Sequence, residues 1–235
     1  MRVAIIDAGP AGLSQIHALK AASNQHQSNV ELVCFDKQRE LGGQWTFSWR
    51  TGLDEFGENV HSGMYRGLLT NIPKELMEYG DCTFKEHLGR PIPSFVTRAV
   101  ILDYLRGRAA KFGLGEFIRF GSVVRMVTFD QAAARFTVTV HNLVEDKVYT
   151  ESFDYVINAV DHFSVPNIPS FPGMDTFSGE HLSTVYEDGG LSLLDAFTLP
   201  ETCIGQQTVR IPMCGHNSHS NPELNPRLDS DPCPD

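Results

Sequence analysis

Two glycines, Gly9 and Gly12, follow the apolar run at residues 3–6 at a spacing that suits the binding of a phosphate group. Glycine lets a backbone turn tightly and approach an anion, and a helix that begins there presents free N–H groups and the positive end of its dipole. The pattern Gly-x-Gly-x-x-Gly would have its first glycine where this chain has Asp7. The spacing therefore predicts a pyrophosphate loop with one departure.

Asp7 is unfavourable in such a loop for two reasons. It adds a Cβ where a tight turn is needed, and it brings a carboxylate near a dianionic ligand. Aspartate nevertheless tolerates left-handed backbone angles better than most residues do. We therefore expect the turn to form, with a weakened affinity for the ligand.

A second acidic residue, Asp36, ends the β-rich run at residues 30–35. In dinucleotide-binding βαβ units a carboxylate about 20 residues after the loop accepts hydrogen bonds from the ribose hydroxyls. Asp36 lies close to that spacing, once the longer polar loop at residues 23–29 between the helix and the second strand is allowed for. A plain strand–turn–helix remains the alternative for the glycine motif alone, but the added carboxylate favours dinucleotide binding.

The run Gly42-Gly43-Gln44-Trp45 is also suited to a ligand. Two glycines let the chain pass close to a flat molecule, the glutamine amide both donates and accepts, and the indole offers a stacking face. On its own the run would favour a glycine turn beside a core tryptophan, but here it follows the predicted phosphate loop and Asp36.

The elements that must position these residues are predicted from periodicity. Residues 2–36 form a βαβ unit with a helix from residue 12 to 22, residues 41–93 form long loops with short helices, and residues 97–112 form a helix between an N-cap at Thr97 and a stop at Gly113. The alternating runs 117–120, 123–129, 136–141 and 147–153 predict a β-meander crossing over the sheet, and residues 155–160 predict another buried strand. The expected class is α/β, Rossmann-like, with a parallel sheet and a β-meander crossover.

Composition limits the possible partners. The 235 residues are 41% hydrophobic and carry a formal net charge of -10, which argues against nucleic acid or an anionic membrane and favours a small metabolite. No apolar run is long enough for a signal peptide or a membrane span, so we expect a cytoplasmic protein. The cysteines are odd in number and scattered, as expected of reduced thiols; they are Cys34, Cys82, Cys203, Cys214 and Cys233.

Three longer stretches carry a resemblance to a known family: "FDKQRELGGQW", "WRTGLDEFGENVHSGMYRGLLTNIPKELMEYGDCTF" and "FDYVINAVDHFSVPNIPSFPG". They resemble the flavin-containing monooxygenases, most closely the bacterial trimethylamine monooxygenase branch. The likeness runs from Arg2 to about Gly179 in unbroken order. The run Met64-Tyr65-Arg66 followed by residues 70–75 (Thr-Asn-Ile-Pro-Lys-Glu) is its most specific part.

The resemblance implies FAD in the N-terminal unit, NADPH in a second dinucleotide-binding unit, and oxygenation of the N or S atom of small amines or sulfides by dioxygen. Asn71 matches the asparagine beside the flavin that stabilises its oxygenated form, and it is the one predicted catalytic residue. The fold would orient the flavin and exclude water, since the cofactor carries the oxygen chemistry. The residues matching cofactor contacts are Gly9, Ala11, Gly12, Asp36, Gln38, Gln44, Trp45, His61, Asn71 and Val127.

Plainer roles remain open for two of these residues. His61 follows an apolar residue in a loop and could be a structural histidine, and Asn71 before Ile-Pro could cap a turn. The chain also departs from the family where a strand-end Thr-Gly is replaced by Val160-Asp161. In the fingerprint Phe-x-Gly-x-x-x-His, the histidine position after Phe177 is Ser183.

The C-terminal part departs further. The NADPH unit should open near Thr208 with a β-strand and a glycine loop. Pro212, however, lies inside the expected strand, and Gly215 is the only glycine in the expected loop. We therefore predict an FAD-binding domain at 1–165, the start of a linker to an incomplete second dinucleotide-binding domain at 166–207, and an irregular, disordered tail at 208–235. Cys214, His216, His219 and Cys233 match no zinc spacing, so no metal is expected.

Three functions are compatible with these residues. The first is a flavin-dependent monooxygenase, or its FAD-binding half, with a small amine or sulfide and dioxygen as partners and a homodimer as a possible assembly. The second is an inactive truncated remnant with weak or no nucleotide binding. The third, an NAD-dependent dehydrogenase, fits Asp36 but not the run at residues 42–45 or the β-meander.

Overall fold

The structure, a computed structural model, describes residues 1–50, 52–60, 64–161, 172, 173 and 176. The chain divides into two units, Met1–Thr198 and Leu199–Asp235, and every described residue belongs to the first. The predicted boundaries at residues 165 and 207, the predicted tail and the fingerprint around Phe177 lie outside the described residues. In chain order the elements are β1 (Arg2–Ile6), α1 (Pro10–Gln25), β2 (Glu31–Phe35), α2 (Phe84–Leu88), α3 (Arg98–Phe112), β3 (Ile118–Arg119), β4 (Ser122–Asp130), β5 (Arg135–Asn142), β6 (Lys147–Phe153) and β7 (Tyr155–Asn158), with single 3-10 turns at Gly43–Trp45, Lys74–Leu76 and Gly115–Phe117.

Four strands form a parallel sheet in the order β3-β2-β1-β7. In its register Ile5 is opposite Cys34 on one side and Ile157 on the other. Both faces of β1 and β2 are covered, which explains why their sequences read as continuous apolar runs. Ile5 and Cys34 face a core built with the helices, and Ala4 faces the opposite core.

The strands β4, β5 and β6 form a separate antiparallel sheet. Val138, Val140 and Phe153 from this sheet are fully buried against Val33 and Phe35 of β2. The β-meander therefore covers one face of the parallel sheet, while α1 and α3 contribute to the core on the other. The predicted α/β class, with a parallel sheet and a β-meander, is confirmed.

Residues 117–120 were predicted as part of the β-meander, and this prediction was wrong. Ile118–Arg119 pairs in parallel with Cys34 and Phe35 of β2 and so extends the parallel sheet instead of opening the meander. Ile118 is buried in the core on the helix side. This burial decides which sheet it joins, although residues 117–120 alternate in polarity like the strands of the meander that follow.

Element ends differ from prediction in ways that have local causes. Helix α1 begins at Pro10, because proline suits the first helical position, and it continues to Gln25, three residues beyond the predicted end. The strand predicted as buried at residues 155–160 ends at Asn158 as the edge of the described sheet, so Tyr155 is 57% exposed. The predicted boundaries of α3 hold, with Thr97 at the N-cap and Gly113 in the left-handed region at φ 60°.

The long loops predicted between residues 41 and 93 are present, and backbone hydrogen bonds hold them to the segment that precedes α3. Thr70 N–H donates to Val96 O at 2.9 Å, and Lys74 N–H donates to Ser94 O at 2.7 Å. Thr83 begins the short helix α2 with a reciprocal capping box to Glu86. Within the described ranges, no helix has the length and apolarity needed to cross a membrane.

Candidate functional site

The turn after β1 has the left-handed conformation that a glycine would normally supply. Asp7 has φ 84°, and its N–H donates to Phe35 O at 2.8 Å, which ties the turn to the end of β2. The turn therefore forms despite the Cβ, as the tolerance of aspartate for this region predicts.

The Asp7 side chain folds back onto the turn. Its Oδ1 accepts a hydrogen bond of 2.6 Å from the backbone N–H of Gly9, the N-cap residue of α1. That N–H is one of the donors at the helix start that the motif predicts would face a pyrophosphate. The next residue, Pro10, has no N–H, so the donors of the first helical turn are those of Ala11 and Gly12.

Gly12 allows α1 to lie against the end of β1. A Cβ built at this position would lie 1.9 Å from the carbonyl oxygen of Asp7. No side chain can be accommodated there without moving the helix. This is the close helix–strand packing for which the third glycine of the motif is required.

Asp36 lies at the end of β2 beside the same turn. Its Oδ2 accepts from Ala8 N–H at 2.8 Å and its Oδ1 accepts from Gln38 N–H at 2.7 Å, and the residue is only 4% exposed. Burial, with a second contribution from the negative charge of Asp7, raises the pKa of Asp36 to about 6. Asp36 therefore supports the loop directly, in addition to its predicted role towards a ribose.

The second glycine turn packs on the first. Gly42 N–H donates to Ala8 O at 3.1 Å, and Gly42 and Gly43 have φ values of 132° and 55°. A Cβ built on Gly43 would lie 2.8 Å from the Cα of Gly9. The two turns predicted separately, at residues 7–9 and at residues 42–43, thus pack against each other and form one cradle, and Gly43 has no room for a side chain there.

Gln38 and Gln44 lie beside this cradle. The Nε2 of Gln38 donates to Gly43 O at 3.3 Å, while its Oε1 is buried and has no hydrogen-bond partner. A buried acceptor without a partner is costly, and a donor such as a ribose hydroxyl would satisfy it. Gln44 Nε2 donates to Asp161 Oδ2 at 2.9 Å, and Trp45 is half-buried against the helix-side core.

The cradle is acidic. Burial is the main cause that raises the pKa of Asp7, and the charge of Asp161 adds to the shift. Lys37 is the cation whose charge opposes these shifts at both Asp7 and Asp36, and burial lowers its own pKa. Sequence analysis missed Lys37, although a lysine directly after the acidic strand end was a usable signal.

Tyr79 is a second residue that sequence analysis missed. Its hydroxyl donates to Pro10 O at 3.0 Å, and its ring lies 3.9 Å from the Arg108 guanidinium carbon. It therefore connects the long loop to the first turn of α1. No local sequence pattern indicates this contact, because the two residues are 69 positions apart.

The remaining predicted residues are not part of the contacts described above. Asn71 is exposed on the loop that Thr70 fixes to Val96, and Val127 is 39% exposed on β4. His61 lies outside the described residues, as do the four tail residues considered for zinc. Among the residues that are described, no group of three or more His, Cys, Asp or Glu is placed to hold a metal ion.

The fold and the cradle together define a class of protein. A βαβ unit with a glycine-lined turn at the helix start and a carboxylate at the end of its second strand is a dinucleotide-binding unit. Glycines without space for a Cβ and the buried Oε1 of Gln38 fit the pyrophosphate and ribose of such a ligand. The Asp7 side chain does not fit such a ligand, and the negative charge of Asp161 is unfavourable for the same reason.

Comparison with known proteins identifies the family. Residues 1–189 match the family described as flavin-binding monooxygenase-like, and the chain belongs to this family. It is 52% identical over 181 residues to the trimethylamine monooxygenase of Methylocella silvestris, a match that covers 77% of this chain and 40% of the relative. The resemblance drawn from the sequence is confirmed, and FAD and NADPH are the cofactors of this family.

Solved structures support the same assignment. The crystal structure of Tmm from Pelagibacter sp. strain HTCC7211 superposes with a TM-score of 0.70 at 40% identity, covering 76% of this chain and 40% of that one. The structure of S-allyl-L-cysteine S-oxygenase from Allium sativum gives a TM-score of 0.66 at 28% identity with the same coverage. The chain therefore spans about two fifths of the length of these relatives.

Proposed function

We propose that this chain is the FAD-binding part of a monooxygenase that oxygenates the nitrogen of small amines such as trimethylamine, or the sulfur of small sulfides, with NADPH and dioxygen. The observation that carries the proposal is the cradle between two glycine turns, with Asp36 beside it, in a chain of the flavin-binding monooxygenase-like family. The relatives named as trimethylamine monooxygenase and S-allyl-L-cysteine S-oxygenase support the two substrate classes.

In this proposal the described residues bind and orient the cofactor. The first-turn N–H groups of Ala11 and Gly12 face the pyrophosphate, Gly9 and Gly43 leave it room, and Asp36 accepts from the adenosine ribose. The unpartnered Oε1 of Gln38 accepts from a second hydroxyl. Gln44, Trp45 and Val127 make the further cofactor contacts predicted from the sequence, and His61 stays a predicted contact.

Asn71 is the proposed catalytic residue. Its position on an exposed loop, which Thr70 and Lys74 fix to the segment before α3, supports a role towards a ligand that covers this surface. A neutral amide can donate a hydrogen bond to a developing negative charge without supplying a proton. FAD, when bound, supplies the oxygen chemistry.

We expect FAD binding without efficient NADPH oxidation, because near Thr208, where the resemblance would open the NADPH unit, the sequence has Pro212 inside the expected strand and Gly215 as the only glycine of the expected loop. A homodimer remains a prediction. An inactive remnant is the second candidate, and the contact of Asp7 with Gly9 N–H favours it because that contact engages a ligand-binding donor.

The test is an equilibrium titration of the purified chain with FAD, followed by the quenching of flavin fluorescence and by the visible absorption spectrum. The diagnostic variant is Gly43→Ala, whose Cβ would lie 2.8 Å from Gly9 Cα and close the cradle. The matched control is Gly57→Ala, which has a similar positive φ of 75° but nothing within 4 Å of the added Cβ.

We expect saturable binding by the unmodified chain, at least tenfold weaker binding by Gly43→Ala, and the original affinity in Gly57→Ala. Equal affinities in the two variants would show that FAD does not use the cradle. The absence of binding by a chain that circular dichroism shows to be folded would favour the inactive remnant.

A further inference from the structure

The Asp7 carboxylate lies between the two glycine turns. Its Oδ1 is 2.6 Å from Gly9 N, 3.1 Å from a Cβ built on Gly9 and 3.4 Å from a Cβ built on Gly43. It therefore lies in the space that the absence of side chains at Gly9 and Gly43 leaves open. A residue of this chain already fills part of the cradle.

The carboxylate resembles the group that the cradle is predicted to bind. Like a phosphate, it is an anion with acceptor oxygens, and it accepts from the N–H of Gly9 next to the positive end of the α1 dipole. It is also held in place by the chain, so it competes at a high effective concentration. A pyrophosphate that uses Gly9 N–H must first displace it.

Charge adds to this competition. Asp36 and Asp161 lie close enough to Asp7 to perturb its environment electrostatically, and Lys37 is the cation that opposes them. The thiol of Cys34, whose Sγ is 3.5 Å from Asp7 O, is kept neutral because burial raises its pKa. The groups around Asp7 thus comprise two further carboxylates, one lysine and a neutral thiol.

We propose that the Asp7 carboxylate is an internal competitor of the cofactor pyrophosphate for Gly9 N–H, so that the affinity of this chain for FAD rises as pH falls. The inference rests on the proposed function and adds a regulation of the same site. It concerns a residue at which this chain departs from the Gly-x-Gly-x-x-Gly pattern.

The direction of the pH effect follows from the charge. Burial raises the pKa of Asp7 above its ordinary value, so protonation begins at a higher pH than for an exposed aspartate. A protonated side chain no longer repels the pyrophosphate, accepts more weakly from Gly9 N–H and can donate to a phosphate oxygen. Asp36 also gains a proton near pH 6, and the charge of Asp7 contributes to that value, so the comparison between Asp7 variants reports the combined response of these two carboxyl groups.

The experiment measures FAD affinity of the full chain by equilibrium titration at pH 8 and pH 5. Asp7→Asn keeps the size and the acceptor oxygen but removes the charge, and Asp7→Gly also empties the cradle and suits the positive φ. The control is Asp130→Asn, since Asp130 Oδ1 accepts from Ala132 N–H at 2.8 Å in the same i to i+2 geometry at the β4–β5 turn.

At pH 8 we expect roughly tenfold tighter binding by Asp7→Asn and a further gain in Asp7→Gly, up to about 100-fold in total, from the loss of a charged hydrogen-bond competitor. At pH 5 the advantage of both variants over the unmodified chain should be smaller than at pH 8, and an advantage of the same size at both pH values would refute the pH dependence. Asp130→Asn should bind like the unmodified chain at both pH values. As a readout without ligand, the amide proton of Gly9 should shift more with pH in the unmodified chain than in Asp7→Gly, where only Asp36, bonded to Ala8 N–H, still titrates nearby.

Two results would overturn the inference in different ways. If all the proteins bind FAD equally at pH 8, the proposed function stands and Asp7 is not a competitor. If none binds FAD at either pH although circular dichroism shows that Asp7→Asn and Asp7→Gly are folded, the proposed function fails and the inference fails with it.

Discussion

The contact between Gly12 and the Asp7 carbonyl leads to a prediction about stability that needs no ligand. Alanine is a better helix former than glycine by about 1 kcal/mol, so Gly12→Ala would stabilise α1 if propensity alone decided. In the structure, however, the new Cβ would lie 1.9 Å from Asp7 O, and real Cβ atoms essentially never approach below 3.0 Å. The two effects therefore predict opposite signs.

The size of the steric effect follows from the required movement. To lengthen the contact from 1.9 to 3.0 Å, the start of α1 must move away from β1 by about 1.1 Å. Leu13 and Ile16 are buried in the core next to this turn, and a gap of up to 1 Å loses a quarter to a half of a van der Waals contact. With an overpacking cost of about 3 kcal/mol and a propensity gain of about 1 kcal/mol, we expect a net destabilisation of about 2 kcal/mol.

Gly107→Ala in α3 is the matched control. Its Cβ would meet the ring of His87 at 2.0 Å, nearly the same overlap, but this imidazole can rotate away whereas a backbone carbonyl cannot. The loss of the partly exposed His87–Asp103 contact costs at most about 1 kcal/mol, which the gain in helix propensity offsets.

The assay is urea unfolding of the three proteins without FAD, followed by circular dichroism at 222 nm. A free energy of unfolding for Gly12→Ala equal to or above that of the unmodified chain would refute the argument from backbone contact. Equal losses in Gly12→Ala and Gly107→Ala would show that the cost comes from alanine itself and not from the neighbour it meets.

Two further predictions concern ionised groups. The pKa of Asp36 is raised from 3.8 to about 6, so the folded state holds this proton more tightly than the unfolded state; the resulting stabilisation is full below pH 4 and is lost as pH rises through 6. Measured by urea unfolding relative to Asp36→Asn, the free energy of unfolding of the unmodified chain should therefore fall by roughly 2 to 3 kcal/mol between pH 4 and pH 7. A rise over this range would contradict a raised pKa for Asp36. Arg108 is 3% exposed and binds both oxygens of Asp81, at 2.8 and 2.7 Å, so Arg108→Lys should cost about 1 to 3 kcal/mol. Arg106 lies on the same helix as Arg108 and forms a more exposed ion pair with Glu40, so Arg106→Lys should lower the free energy of unfolding by less than about 0.5 kcal/mol. Similar losses in the two variants would count against a special role of the buried Arg108 guanidinium.

Much of the fold could be predicted because its signals are local. The apolar runs of β1 and β2, the glycine stop at Gly113 and the alternation of β4, β5 and β6 each depend on neighbouring residues. The placement of Ile118–Arg119 could not be predicted in this way, since a two-residue strand joins whichever sheet buries it, and that depends on a pairing 84 positions away between Cys34 and Ile118.

The candidate site divides along the same line. Gly9, Gly12, Asp36 and the glycines at residues 42 and 43 were predicted from spacing, and the structure brings them together. The direction of the Asp7 side chain was not predictable, because it depends on a side-chain rotamer and on the donor at Gly9. The contact of Tyr79 with Pro10 was missed since nothing near either residue indicates it.

The segment from Asp36 to Gln38 joins the site to the second sheet. Asp36 O accepts from Ser122 N–H at 2.8 Å and Gln38 O accepts from Gly121 N–H at 3.0 Å, while the Asp36 carboxylate holds Ala8 N–H. An insertion or deletion of one residue here would displace the phosphate loop and the start of β4 together. Changes in length at the turns after Asp130 and Asn142, where each side chain caps its own turn, would leave this junction in place. Variation in chain length is therefore physically tolerable at the far ends of the β-meander and not at the end of β2.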